Sequence, residues 1–215
     1  MKARLFTVLF TLCGASLLAQ EPASVPGTQA HTSDIGFTYS IPSDWEVVDT
    51  STTLPNVQQQ VAKTATSEDE KKGIACVQVA LTARNGSPSS VIVVVALPFA
   101  CFQQEMTDKD LPGFAAGASE GLKKTFDITD PIHGSYSLGA HSVWIERAKG
   151  KLKDHPEVQY TVETVCSVLK QGAVCWMEMA ADDSALQTFE HGLVVLDGEA
   201  PAALVPATAF DKKPS

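Results

Sequence analysis

The run Val91-Ile92-Val93-Val94-Val95 limits the fold of this chain more than any other segment. β-Branched side chains favour extended backbone, and five in succession leave neither face of a strand polar. Such a strand needs cover on both faces, so it belongs in the middle of a sheet between packed layers. The run is also far shorter than a membrane-spanning helix. The sequence therefore predicts a layered domain built around a sheet.

Further strands follow from alternating or turn-bounded segments. Ile35, Phe37 and Tyr39 alternate with small residues, and a turn at Pro42–Asp44 leads into a second strand from Trp45 to Val48, which together predict a small hairpin. Other predicted strands are Gly73 to Ala83, Gly134 to Leu138 and Ser142 to Lys151, the last two joined at Gly139-Ala140.

The clearest hairpin joins Val158–Leu169 to Ala173–Ala181 around a turn at Gln171-Gly172. One face of it is apolar, with the residues Val162, Thr164, Cys166, Val168, Cys175, Met177 and Met179. The other face carries Glu163, Ser167 and Glu178. In this register Cys166 lies opposite Met177, and Cys175 lies opposite Val168. Diagonal neighbours are about 7–8 Å apart, so we expect no bridge between Cys166 and Cys175.

Three helices are predicted from caps and periodicity. One begins near Pro55 and runs to about Thr66, followed by a charged loop from Ser67 to Lys72. The second is capped by Asp108 or Asp110, with Leu111, Phe114, Ala118 and Leu122 on one face; Gly113, Gly117 and Gly121 beside that face indicate close approach to a sheet. The third is capped by Asp182 or Asp183, with Leu186, Phe189, Leu193 and Leu196 on one face. The fold class is α+β, an antiparallel sheet with helices packed on it.

The N-terminus has the composition of a secretory signal peptide. Lys2 and Arg4 precede a mostly apolar stretch from Leu5 to Ala19. We expect a signal peptide over residues 1–19, a flexible leader over 20–33, a single domain over 34–197 and a disordered tail over 198–215. The mature protein is then periplasmic or extracellular. Acylation at Cys13 is disfavoured because Leu12 stands where a small residue is needed.

Charge and cysteine content limit the partners and the chemistry. Cleavage would remove two of the 16 basic residues and none of the 25 acidic ones, so the formal charge moves from −9 to −11. An acidic domain repels nucleic acid and anionic lipid. Four cysteines remain, Cys76, Cys101, Cys166 and Cys175, which permit up to two disulfides. A disulfide would join one hairpin cysteine to Cys76 or Cys101, or join those two; the alternative is that some are buried free thiols.

Two stretches together resemble PsbP/Mog1-like domains. The segment GFTYSIPSDW, Gly36 to Trp45, is similar to the opening strand of the family with its Pro-x-x-Trp turn, and LGAHSVW, Leu138 to Trp144, is similar to a later strand turn. The resemblance covers Asp34 to Leu196. It implies an α/β/α sandwich of PsbP/Mog1 type, the binding or assembly role that most members have, and framework roles for Pro42 and Trp45. Many exported bacterial members have no known role. It supplies no catalytic residue.

No catalytic, cofactor-binding or metal-ligating residue is predicted. The histidines His31, His133, His141, His155 and His191 lack the spacing of a metal site. Ser135 and Ser137 lack the final glycine of a nucleophile elbow. The acidic clusters Glu68-Asp69-Glu70 and Asp182-Asp183 are typical of a solvated loop and a helix cap, with divalent-ion binding as the alternative for each. The tryptophans Trp45, Trp144 and Trp176 are typical of core, with a ligand cleft as the alternative.

Two functions from different classes follow. The first is an exported, non-catalytic binding or assembly module whose partner is a protein or a small ligand. The alternative is an exported hydrolase whose active-site residues converge only in the fold. A pocket holding His141 or His155 beside a serine, cysteine or carboxylate favours the hydrolase, whereas a groove or an exposed apolar patch favours the binding module.

Overall fold

The computed structural model describes residues 27–49, 68–86, 89–123 and 125–211. Two antiparallel sheets dominate it, so the α+β class is confirmed. The strands are β1 Thr28–Ser33, β2 Phe37–Pro42, β3 Glu46–Val47, β4 Gln78–Gly86, β5 Ser89–Pro98, β6 Phe126–Leu138, β7 His141–Leu152, β8 His155–Val168, β9 Gly172–Ala180, β10 Leu193–Leu196 and β11 Ala202–Ala203. One sheet has the order β3-β4-β5-β9-β8-β7-β6 and the other has the order β1-β2-β10-β11.

The helices are short. They are α1 Glu68–Cys76, α2 Phe99–Phe102, α3 Leu111–Leu122 and α4 Asp183–Glu190, with a 3-10 turn at Asp108–Asp110. None of the helices in the described ranges has the length and apolar content to cross a bilayer.

The large sheet lies between two layers, as the all-apolar run predicts. β5, which contains that run, pairs with β4 on one side and β9 on the other. α3 covers one face of the sheet at the β8–β9 hairpin. The four-stranded sheet and α4 cover the other face, where Phe37 of β2 packs edge-on against Trp176 of β9 with ring centroids 5.4 Å apart. The main core lies in this second layer.

The N-terminal part of the domain differs from the expectation in two ways. Residues 28–33, placed in a flexible leader, form β1, which pairs with β2 along its whole length. The predicted hairpin between β2 and β3 is wrong, because β2 pairs with β1 and β10 while β3 pairs with β4 in the other sheet. The turn at Pro42 therefore passes the chain from one sheet to the other. Trp45 follows this turn and is buried in the main core.

Residues 198–211, here called the C-terminal strap, were expected to be disordered and are ordered. Leu204, Val205 and Ala209 are buried against the large sheet. The backbone N–H of Leu204 donates to Gly192 O and that of Val205 to Glu190 O, each at 2.9 Å. An alanine- and proline-rich composition suggested disorder, but its few apolar side chains complete the core.

The β8–β9 hairpin forms as predicted, but its register is two residues away from the expected one. Leu169 N–H donates to Gly172 O, so the turn centres on Lys170-Gln171 instead of Gln171-Gly172. Cys166 then lies directly opposite Cys175, with Cα atoms 4.2 Å apart, and the two form a disulfide. The prediction that this pair is not bridged is wrong. Cys76 and Cys101 form the second disulfide, a pairing that the sequence left open.

Three helix predictions need correction. Residues 68–72 of the charged segment expected to be a loop lie in α1, and α4 ends at Glu190, so that Leu193 and Leu196 belong to β10. The glycines of α3 do not make a close approach to the sheet, because a Cβ added at Gly113, Gly117 or Gly121 would meet nothing within 4 Å. The apolar face predicted for α3 does pack on the sheet. The helix predicted near Pro55 lies outside the described residues, as does the signal peptide.

Candidate functional site

Two glutamates face each other in the middle of the core. Glu163 of β8 lies directly opposite Glu178 of β9, and both side chains are fully buried. The hairpin pattern placed them on its polar face, which is correct, but that face is not solvated. The four-stranded sheet and α4 cover it, and Trp176 and Val165 beside the glutamates belong to the main core.

Arg147 is the cation beside this pair. Its Nε donates to Glu163 Oε2 at 2.6 Å, and its Nη2 donates to Glu190 Oε1. Its guanidinium also lies over the ring of Phe210, 4.6 Å from the centroid. One partly exposed arginine of β7 thus connects β8, α4 and the C-terminal strap.

Burial dominates the electrostatics of this cluster. Loss of solvation raises the pKa of Glu163 to about 7, even though Arg147 lowers it. Burial also raises the pKa of Glu178 well above its usual range, and the charge of Glu163 adds to that rise. Burial also raises the pKa values of Tyr39 and Tyr136, whose hydroxyls donate to Phe189 O and Leu204 O. Glu178 and Glu163 add to the rise for Tyr39, and Glu163 and Glu190 add to it for Tyr136.

A second polar cluster surrounds His141 at the start of β7. Its Nδ1 lies 3.1 Å from Val168 O, a carbonyl that can only accept, so Nδ1 is the donor. Its Nε2 lies 3.5 Å from Asp197 Oδ2 and 3.7 Å from Glu199 Oε1. Asp197 also accepts from Lys170 N, so this cluster ties the β8–β9 turn to the beginning of the strap.

This approach of Asp197 requires a glycine at position 36. Gly36 has φ +105°, and a Cβ there would lie 2.6 Å from Asp197 Oδ1. The backbone N–H of Asp197 donates to Gly36 O at 2.7 Å. The first residue of the GFTYSIPSDW segment therefore has a packing role against the C-terminal part of the chain.

The other residues weighed in the sequence take separate positions. His133 stacks on Trp144 and lies 3.3 Å from Glu146, while His155 lies 3.3 Å from an exposed Glu157. Asp182 accepts from Ala185 N and caps α4 as predicted. Among the described residues, no group of three or more histidine, cysteine and acidic side chains could hold a metal ion.

Two open clefts on the described surface share no lining residue with either cluster. The larger, of about 470 Å³, is here called the hairpin cleft; its lining residues are Asp44, Glu46, Arg84, Asn85, Gly86, Ser89, Ser90 and Val91. Arg84 and Glu46 form a bidentate ion pair across it, at 2.8 and 3.0 Å. The second, of about 360 Å³, adjoins the Cys76–Cys101 disulfide and Phe102.

Sequence reasoning did not identify the Arg147–Glu163–Glu178 cluster or the hairpin cleft. Glu163 and Glu178 have the spacing of solvated positions on a half-buried hairpin. The available signal was the apolar content of residues 202–210, which indicates a further layer over that face. The hairpin cleft is lined from β3, β4 and β5, and its existence depends on the passage of the chain between sheets at Pro42.

No protein-family model matches the sequence, and no curated protein matches it. Among solved structures, the chain is similar to the solution structure of cyanobacterial PsbP (CyanoP) from Synechocystis sp. PCC 6803. The identity is 10%, the TM-score is 0.41, and the match covers 80% of this chain and 90% of that one. Membership of the PsbP/Mog1-like family stays a prediction from the sequence motifs.

Proposed function

We propose that this protein is an exported, non-catalytic binding or assembly module of the PsbP/Mog1-like type, and that the hairpin cleft is its binding surface. The observation that carries the proposal is the cleft itself. A volume of about 470 Å³ is in the range of ligand sites, and its polar lining with one ion pair suits a polar ligand or the loop of a partner protein.

Two further features support export and binding. The apolar stretch Leu5–Ala19 after Lys2 and Arg4 has the pattern of a signal peptide, and disulfides are typical of exported proteins. The strongest catalytic candidate, His141, donates from Nδ1 to Val168 O, and its Nε2 faces the carboxylates of Asp197 and Glu199, which bind that nitrogen when it is protonated. A general base needs a free nitrogen for its substrate.

Site-specific photo-crosslinking in the native host tests the binding proposal. A photoreactive residue replaces Ser89 in the cleft or, as a control, Thr32, which is exposed on β1. We expect a discrete crosslinked product from position 89 only. N-terminal sequencing should show that this protein begins at or near Gln20, as export with signal-peptide cleavage requires. Arg84→Ala should lower its yield. Equal yields from positions 89 and 32 would contradict the proposal.

The hydrolase alternative keeps one supporting observation, because His141 does lie beside two carboxylates. It predicts turnover of ester or peptide substrates by the mature protein, lost in His141→Asn and retained in the control His155→Asn. The binding module predicts no turnover in any of the three proteins.

A further inference from the structure

Four polar atoms buried on one face of the β8–β9 hairpin have no hydrogen-bond partner among the described residues. They are Glu163 Oε1, both carboxylate oxygens of Glu178, and Trp176 Nε1. All three side chains are fully buried on the same face of β8 and β9. A buried carboxylate without a donor carries a desolvation penalty of several kcal/mol if it is ionised. This arrangement is therefore not stable with two negative charges.

The surrounding elements supply too little positive charge for two carboxylates. Arg147 of β7 is the cation facing the pair, and it also binds Glu190 of α4. β2 and β6 contribute the neutral hydroxyls of Tyr39 and Tyr136, which donate to backbone carbonyls. β5 places Ile92 directly opposite Glu178. Phe210 of the strap covers the guanidinium.

We propose that Glu163 and Glu178 hold one shared proton in the folded protein, and that losing it loosens the attachment of α4 and the C-terminal strap to the large sheet. The proton resides on Glu178, because neither of its oxygens has a donor, while Glu163 Oε2 accepts from Arg147. Directly opposite residues have Cβ atoms about 4.5–5.5 Å apart, a spacing that the two glutamate side chains can span, so we assign the free Glu163 Oε1 as the acceptor for the Glu178 hydroxyl.

The connection to the strap passes through Arg147. With one proton present, the guanidinium is shared between Glu163 and Glu190 and is covered by Phe210. When the pair carries two charges, the second charge competes with Glu190 for the same arginine. The contacts that hold the end of α4 and residue 210 in place are then weakened.

The sign of the pH effect follows from the raised pKa values of both glutamates. Above the ordinary glutamate pKa of about 4.3, the unfolded chain releases protons that the folded protein keeps. The folded protein therefore binds more protons, and its stability falls as the pH rises from about 4.3 through the raised folded values. Each excess proton changes the folding equilibrium constant by about tenfold per pH unit inside that window.

The test combines urea unfolding at several pH values with infrared spectroscopy of the mature protein. At neutral pH we expect the band of a buried protonated carboxylic acid in the wild type. Glu178→Gln, whose amide can donate to Glu163 in place of the proton, should remove the band and flatten the decline of stability with pH. Glu157→Gln, an exposed change on the same strand as Glu163, is the control. It should keep the carboxylic acid band and the decline of stability with pH.

Hydrogen exchange supplies the conformational readout on the wild type alone. After correction for intrinsic rates, raising the pH into the alkaline range should speed the exchange of amides in residues 190–211 more than the exchange of amides in β5. Absence of the acid band at neutral pH, or a band and pH slope that persist in Glu178→Gln, would overturn the shared proton. Uniform protection of residues 190–211 at all pH values would overturn the link to the strap. The infrared and exchange measurements need no variant, so they decide even if Glu178→Gln does not fold.

Discussion

Single side chains in this protein hold together elements that are distant in sequence. Arg147 contacts Glu163, Glu190 and Phe210, and His141 contacts Val168, Asp197 and Glu199. Both clusters involve residues 190–211, which the backbone alone attaches by few strand pairs. Charged groups with several partners therefore supply part of the positional information that short strands cannot.

Trp45 is the residue whose packing is most directly testable. It is buried in the main core just after the passage between the two sheets. Trp45→Ala removes a large aromatic surface and should lower the free energy of unfolding by about 3–5 kcal/mol. Urea unfolding measures this, with Val47→Ala at an exposed neighbouring position as the control, for which we expect about 0.5 kcal/mol or less. A loss below about 1 kcal/mol at Trp45 would show that the indole is not a core residue.

At the scale of elements, α3 combines an apolar face on the sheet with a row of outward glycines. Gly113, Gly117 and Gly121 are exposed, and nothing surrounds the position of a Cβ. Glycine inside a helix costs roughly 0.8–1 kcal/mol relative to alanine. Their conformation is thus maintained by the packing of the opposite face and not by intrinsic propensity.

Replacing these glycines should stabilise the protein. Gly113→Ala, Gly117→Ala and Gly121→Ala should each raise the free energy of unfolding by about 0.5–1 kcal/mol in urea titrations. Gly172→Ala is the matched control, because its Cβ would lie 2.8 Å from the backbone oxygen of Leu97, and it should destabilise. Destabilisation by the α3 substitutions would mean that the outward side of α3 is covered in solution.

The two disulfides differ in accessibility. Cys166–Cys175 lies fully buried under α3, whereas Cys101 is exposed in the cleft beside α2. Thiol–disulfide exchange requires access of the attacking thiolate to sulfur. In a graded titration with reductant under native conditions, mass mapping of trapped thiols should find Cys76 and Cys101 free well before Cys166 and Cys175. Earlier reduction of Cys166–Cys175 would contradict the burial of this disulfide under α3.

At the scale of the whole molecule, the C-terminal strap completes the core. Leu204 is fully buried, and Tyr136 donates a hydrogen bond to its carbonyl oxygen at 2.6 Å. A chain ending at Gly198 should therefore have a free energy of unfolding lower by about 2–5 kcal/mol, the range for loss of a large buried side chain. Urea titration measures this as a lower midpoint. A chain ending at Asp211 is the control and should match the full-length protein. Equal stability of the two truncated proteins would support the disordered tail that the composition suggested.

The sequence by itself determined those elements whose hydrophobic pattern is compatible with only one kind of secondary structure and one kind of packing. The apolar run of β5 required a central strand, the β8–β9 segments required a hairpin, and the face of α3 required a sheet beneath it. These predictions depend on neighbouring residues, whose periodicity is visible in the chain. The α+β class followed from their order.

Only the tertiary structure decided which faces become interior and which strands pair at a distance. β1 and the strap carry weak local signals. The six residues of β1 are mostly polar and none is buried, and the strap contains one two-residue strand and a few apolar side chains. Such segments gain stability only from partners far along the chain. Packing of β2, α4, β10 and the strap turned a polar hairpin face into core and so enclosed Glu163 and Glu178. The turn lies one residue earlier than expected, which lengthens one strand by a residue and shortens the other. Each residue of β8 therefore pairs two positions away from its expected partner, and Cys166 lies opposite Cys175.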